Sequence, residues 1–191
     1  MMQIVPLAMS KIHSMVKTKN ITTSWVTAEL RSDHAGETGA IWIYRGILAT
    51  TRDQSVREFA QHHLRTEQQH LALIERFLHK ENRSYLLPLW RLAGFLTGAL
   101  PSIISSQAVF ATISAVETFV VLHYQAQINR LQTQSSWADL CEILQSCCDD
   151  EVKHESEAAF LLREKPGFLL QNWCRLVSLG SALAVKLARI L

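Results

Sequence analysis

The chain has 191 residues, of which 48% are hydrophobic and 19% charged, with a formal net charge of +2. That length suits one domain with a sizeable core, and the hydrophobicity excludes a disordered chain. So small a net charge, with no aromatic-basic motif beside it, excludes nucleic acid as a partner. The charged fraction lies below the ~25% usual in soluble domains, so the surplus apolar surface needs a destination.

Residues 1–27 read as an N-terminal extension. No acid precedes Glu29, and Lys11, Lys17 and Lys19 give the segment a loose likeness to a transit peptide, although arginine is absent. A frayed or membrane-touching start is expected, with a cleaved leader as the alternative. Residues 28–191 are expected to form a single domain. Glycine and proline are scarce, and apolar residues recur at helical spacing over Ala28 to Thr50, Gln54 to Lys80, Ser106 to Leu131 and Trp137 to Glu164. These predict four long helices. Their connections are short except from Glu81 to Ser105, and a long crossover between helices two and three is the ferritin-like arrangement of a four-helix bundle. The fold class is therefore all-α.

Between Arg91 and Glu117 run 25 uncharged residues, long enough to span a membrane. Pro101 is expected to break this run, giving an interfacial helix followed by a buried bundle helix. After Pro166-Gly167 a further apolar segment reaches Leu191. It combines Trp173, Leu176, Leu183 and Leu187 with Arg175, Lys186 and Arg189, and no acid follows Glu164. Membrane contact and a helix capping the bundle are both open readings of it. Segments near 86–105 and 168–191 are the expected membrane-interacting regions. Cys141, Cys147, Cys148 and Cys174 form neither a C-x-x-C pair nor a regular framework, so neither a zinc site nor a disulfide scaffold is expected.

Two Glu-x-x-His pairs carry the chemistry: Glu67 with His70, and Glu151 with His154. Three residues apart on a helix, both side chains of a pair leave one face. Glu37 precedes the first pair by 30 residues and Glu117 precedes the second by 34, so the chain reads as two halves of one plan. Glu, Glu-x-x-His, Glu, Glu-x-x-His on four helices is the ligand set of a carboxylate-bridged di-iron or di-manganese bundle. Hard carboxylate oxygens suit iron, and one imidazole per metal leaves positions open for dioxygen. Glu117 lies among Ala115, Val116, Phe119 and Val120, where a carboxylate needs a cation.

The repetition extends to Tyr44 and Tyr124, each seven residues after a proposed ligand; both could be redox-active phenols, or simply packed tyrosines. Asp33 and Asp150 precede Glu37 and His154 by four and could orient them. His34, His62, His63, His79 and His123 fit neither pair's spacing and read as surface groups or outer neighbours of the site, with His123 the best reserve.

Leu30-Arg31-Ser32-Asp33-His34-Ala35-Gly36-Glu37, Tyr44, Glu67-x-x-His70, Leu87-Pro88-Leu89-Trp90 with Gly94-Phe95, Val116-Glu117, His123-Tyr124 and Asp150-Glu151-x-x-His154 together resemble the demethoxyubiquinone hydroxylases of ubiquinone biosynthesis. The resemblance runs from about Leu30 to Arg175 and places the family's six metal ligands on Glu37, Glu67, His70, Glu117, Glu151 and His154. Ser32 stands where a valine is usual, and the ending Leu187 to Leu191 lacks the family's Ser-Glu-Arg. The resemblance implies a monooxygenase with two iron ions (Fe2+/Fe3+). It would hydroxylate a polyprenylated quinone with O2 and two external electrons, ultimately from NADH. It further implies peripheral attachment to a membrane surface, either the cytoplasmic face of a bacterial inner membrane or the matrix face of the mitochondrial one, with other ubiquinone-synthesis proteins as candidate partners. No glycine-rich nucleotide fingerprint is present. An iron-storage or peroxide-scavenging protein and a lipid-binding accessory protein are the alternatives.

Overall fold

The computed structural model describes residues 24–191, the side chain of Ser135 excepted; residues 1–23, most of the expected N-terminal extension, lie outside the described residues. Among the described residues there are six α-helices: α1 Ser24–Thr50, α2 Gln54–Ile74, α3 Leu87–Ile104, α4 Ser106–Leu131, α5 Ala138–Leu161 and α6 Phe168–Ala188. The first begins four residues before the expected domain start. The second ends at Ile74 rather than near Lys80, and a turn leads from it into a short 3₁₀ segment, Lys80–Asn82.

Local signals set the boundaries. Asp53 caps α2, its carboxylate accepting from the amides of Ser55 (2.9 Å) and Val56 (3.3 Å). Pro88 lies in the first turn of α3, where its missing N–H costs nothing. Pro101 does not break the apolar run as expected. It lies inside α3, where it forgoes one backbone hydrogen bond without ending the helix, and the break comes at Ser105, whose backbone is extended and whose hydroxyl caps α4 by accepting from Ala108 N.

The four-helix bundle is α1, α2, α4 and α5, with α3 forming the long crossover and α6 following the bundle. Each half of the chain thus repeats three helices: one carrying a lone glutamate, one carrying Glu-x-x-His, and one apolar helix laid outside. Helix α3 runs parallel to α1 at backbone contact, because a side chain on Gly94, Gly98 or Gly46 would collide with the backbone of Gly39, Ile43 or Phe95 respectively. Helix α6 runs parallel to α4 at greater distance, through Trp173 to Thr112 (2.9 Å) and Cys174 to the Ala111 carbonyl (3.4 Å).

Two apolar layers fill the bundle. One joins Leu30, Ile74, Ile128, Leu140 and Leu144; the other joins Ile47, Phe59, Phe110 and Ile113. The end of α6 is stitched to the start of α1 by Arg189 with Glu29 (2.8 Å), and Arg31 donates to the carbonyls of Asn82 (2.7 Å) and Arg189 (3.3 Å). By length and composition α3, α4 and α6 could each cross a membrane. Helix α4 lies within the bundle. Helices α3 and α6 instead present apolar stripes outward: Leu89, Leu92, Leu96, Leu100 and Ile103 on one, Leu169, Leu176, Leu179 and Leu183 on the other. Trp90 and Trp173, expected at the membrane side, turn inward to line a cavity. All four cysteines are free thiols.

Candidate metal centre and cavity

Between the two apolar layers the bundle buries Glu37, Glu67, His70, Glu117, Glu151 and His154, all at most 4% exposed. Their donor atoms fall into two overlapping groups, each within 4.8 Å: Glu37, Glu67, His70 and Glu151, and Glu67, Glu117, Glu151 and His154. Glu67 and Glu151 belong to both groups, as bridging carboxylates do, while each remaining glutamate and histidine belongs to one. Both imidazoles turn Nδ1 inward. His70 Nδ1 lies 3.0 Å from Glu151 and 3.7 Å from Glu37, and His154 Nδ1 lies 3.0 Å from Glu151 and 3.1 Å from Glu67.

The donor set fits a metal pair. Glu37 Oε2, Glu67 Oε1, Glu151 Oε2 and both inward Nδ1 atoms are buried without a hydrogen-bond partner, although buried polar groups in proteins are nearly always satisfied. Burial pushes the Glu37 and Glu117 carboxyls well above the usual range, and the carboxylates of Glu67 and Glu151 add to it. Burial would lower His154, but Glu151 and Glu67 beside it override this and push it up to about 10. A site so rich in close acids is one that cations stabilise.

The two phenols are exchanged between halves. Tyr44 on α1 donates to Glu117 Oε1 on α4 (3.0 Å), and Tyr124 on α4 donates to Glu37 Oε1 on α1. Burial raises both hydroxyls well above the usual tyrosine range. The two aspartates are placed differently from the sequence expectation. Asp150 reaches His70 Nε2 (3.4 Å) on the facing helix rather than His154, and holds Lys153 (2.7 Å) on its other side. Asp33 does not bond Glu37; its Oδ1 accepts from His123 Nε2 (3.0 Å) and from Gln127 (2.6 Å). Sequence spacing ranks neighbours along one helix, and these contacts are made across helices.

Two residues near the site, Gln127 and Ser32, carried no assigned role in the sequence, and His63, expected at the surface or as an outer neighbour, is buried against it. His63, 1% exposed, lays its ring 4.1 Å from that of His154 and stacks on Tyr44. Burial, then the neighbouring His154 and His62, pushes it down to about 3. Its position four residues before Glu67 was the available signal. Gln127 and Ser32 complete the His123 surroundings, Ser32 Oγ standing 3.3 Å from its Nε2. His34, expected at the surface or as an outer neighbour, is buried and pairs with Glu75 (3.3 Å).

A cavity of ≈ 360 Å³ reaches this centre from between α3 and α6. Trp90, Gly94 and Thr97 form one wall, Trp173, Leu176 and Gly180 the other; Glu37, Glu67, Glu117 and Glu151 lie at its floor with Tyr124, His123 and Asp33 beside them. Tyr44 does not line it.

Comparison with known proteins places this arrangement. Residues 24–188 match the family described as ubiquinone biosynthesis protein COQ7. A rat protein named NADPH-dependent 3-demethoxyubiquinone 3-hydroxylase, mitochondrial, is 29% identical over 174 residues, 88% of this chain and 79% of its own. The human protein of the same name is 30% identical over 139 residues, 71% of this chain and 64% of its own. A protein of Rhodospirillum rubrum named 3-demethoxyubiquinol 3-hydroxylase is 36% identical over 105 residues, 53% of this chain and 50% of its own. An all-helical bundle carrying the Glu and Glu-x-x-His plan in both halves, matched over nearly all its described residues, belongs to the COQ7 family of ubiquinone biosynthesis proteins.

Proposed function

We propose that the chain is a di-iron monooxygenase that hydroxylates the ring of demethoxyubiquinone with O2 and two external electrons. The observation that carries this reading is the apolar cavity ending on four buried carboxylates. Glu37, Glu67, His70 and Glu151 would hold one iron, and Glu67, Glu117, Glu151 and His154 the other. When bound, the iron pair supplies the redox chemistry that activates dioxygen. The protein's own part is positioning. Tyr44 and Tyr124 fix the outer carboxylates, and Asp150 and Asp33 orient His70 and His123. The Trp90 and Trp173 walls receive an apolar ring and tail while excluding water.

Residues 28–191 act as one domain, preceded by an N-terminal extension. It rests on a membrane through the outward leucines of α3 and α6, flanked by Arg91, Arg175 and Lys186, so a polyprenyl substrate reaches the cavity from the bilayer. The cytoplasmic face of a bacterial inner membrane and the matrix face of the mitochondrial one both fit. Electrons come from a reduced nicotinamide, NADH by family resemblance and NADPH by the names of the mitochondrial relatives. Family membership favours this reading over iron storage or a lipid-binding accessory role.

Complementation tests it. Expressed in cells lacking the hydroxylase, the chain should appear in the membrane fraction, bind about two irons, and make accumulated demethoxyubiquinone disappear. Iron-loaded protein that leaves the precursor untouched would refute it.

A further inference from the structure

On the side of the centre away from the cavity, three imidazoles stand in file from solvent inward. His62 is exposed on α2 and its ring lies 5.2 Å from that of His63, whose ring lies 4.1 Å from that of His154. Beside the file Glu157, half exposed on α5, brings Oε2 to 3.2 Å from His63 Nε2. Neither nitrogen of His63 has a hydrogen-bond partner, although the residue is 1% exposed. The contact with Glu157 is therefore close enough for a hydrogen bond and out of line for one. Two ligand atoms each ~2.1 Å from one cation stand about 3.0–3.4 Å apart, so the pair already has the separation of two donors to a shared ion.

We propose that His63 and Glu157 form a transit site through which a divalent cation passes from solvent to the buried carboxylates, with His62 as its outer station. This inference rests on the metal-site reading above. One imidazole and one carboxylate leave the rest of the cation's shell to water, which gives the weak, exchangeable binding a passage needs. Delivery follows from position: His63 abuts His154, a member of the inner set, and Glu157 is reached without crossing the core. The opposite approach runs between apolar walls, where a hydrated dication would be stripped of water with little in exchange. None of His62, His63, His154 and Glu157 lines that cavity.

The test is the rate of metal uptake by the full chain stripped of metal, using Co2+ and following its visible absorption in stopped flow, with final stoichiometry measured separately. Glu157→Gln alters a half-exposed side chain and should fold normally; His63→Met keeps the buried volume and removes the imidazole. Both variants should load about tenfold more slowly than the unmodified chain yet finish with the same metal content. Loading at the unmodified rate in both would overturn the transit site and leave the apolar cavity as the route. Slow loading with a reduced final content in both would also overturn it, making the pair a support for the inner ligands. If the unmodified chain takes up no metal at all, the metal-site reading fails first and the transit site with it.

Discussion

The two halves of the molecule agree at the centre and diverge outside it. Residues 24–104 and 106–188 each supply a lone glutamate, a Glu-x-x-His pair, a phenol and an apolar helix. Yet α3 meets α1 at backbone contact while α6 stands off from α4, and His70 is braced by Asp150 whereas His154 abuts His63. The central plan leaves little room for variation, because Glu67 and Glu151 belong to both groups of donor atoms. The outer layers are free to differ, and their difference opens the cavity on one side.

Three pairs of substitutions would sharpen or break that comparison. The largest effect belongs to the shared carboxylates. Glu67→Ala should remove nearly all iron and all turnover, whereas Glu117→Ala, which belongs to one group, should lose about one iron of two together with turnover. Equal metal content in the two variants would contradict the assignment of Glu67 as a bridge, and two irons retained in Glu117→Ala would contradict the site.

Next comes the contrast between outer helices. Gly98→Ala forces a methyl group against the backbone of α1 and should destabilise the protein by about 1–3 kcal/mol. Gly180→Ala on α6 has open space around it and should be neutral or stabilising by up to ~1 kcal/mol from helix propensity alone. Thermal unfolding of both variants without substrate measures this; equal shifts would mean the two apolar helices pack alike.

The smallest effect separates the phenols. Tyr124→Phe should slow turnover roughly 2- to 10-fold, the range of one ordinary hydrogen bond, while keeping both irons. Tyr44→Phe should do less, because Tyr124 lines the cavity and Tyr44 does not. Loss of iron in Tyr124→Phe would make the phenol a support of the metal instead.

What could be read from the sequence was mostly what lies along one helix. Glu67 with His70 and Glu151 with His154 are fixed by helical spacing, and the four bundle helices follow from the apolar period and from the scarcity of glycine and proline. The ligand set across four helices was legible as a repeated pattern, but which outer residues meet across helices was not. Asp150 sits four residues from His154 yet serves His70, and Asp33 sits four from Glu37 yet serves His123, because facing partners depend on how helices dock. Pro101 misled for a related reason: a proline inside a helix forfeits one backbone hydrogen bond but need not end the helix, and only the fold shows that the chain stays helical to Ile104.

The exchanged phenols also bear on how the chain is made. Synthesised from its N-terminus, it presents Glu37 and Glu67 before α4 and α5 exist, and the hydroxyl that serves Glu37 belongs to Tyr124 in the later half. Glu117 in turn waits on Tyr44 from the earlier half. Each half lends the other the hydroxyl that meets its lone glutamate, so the polar centre is complete only when both halves dock in the correct pairing.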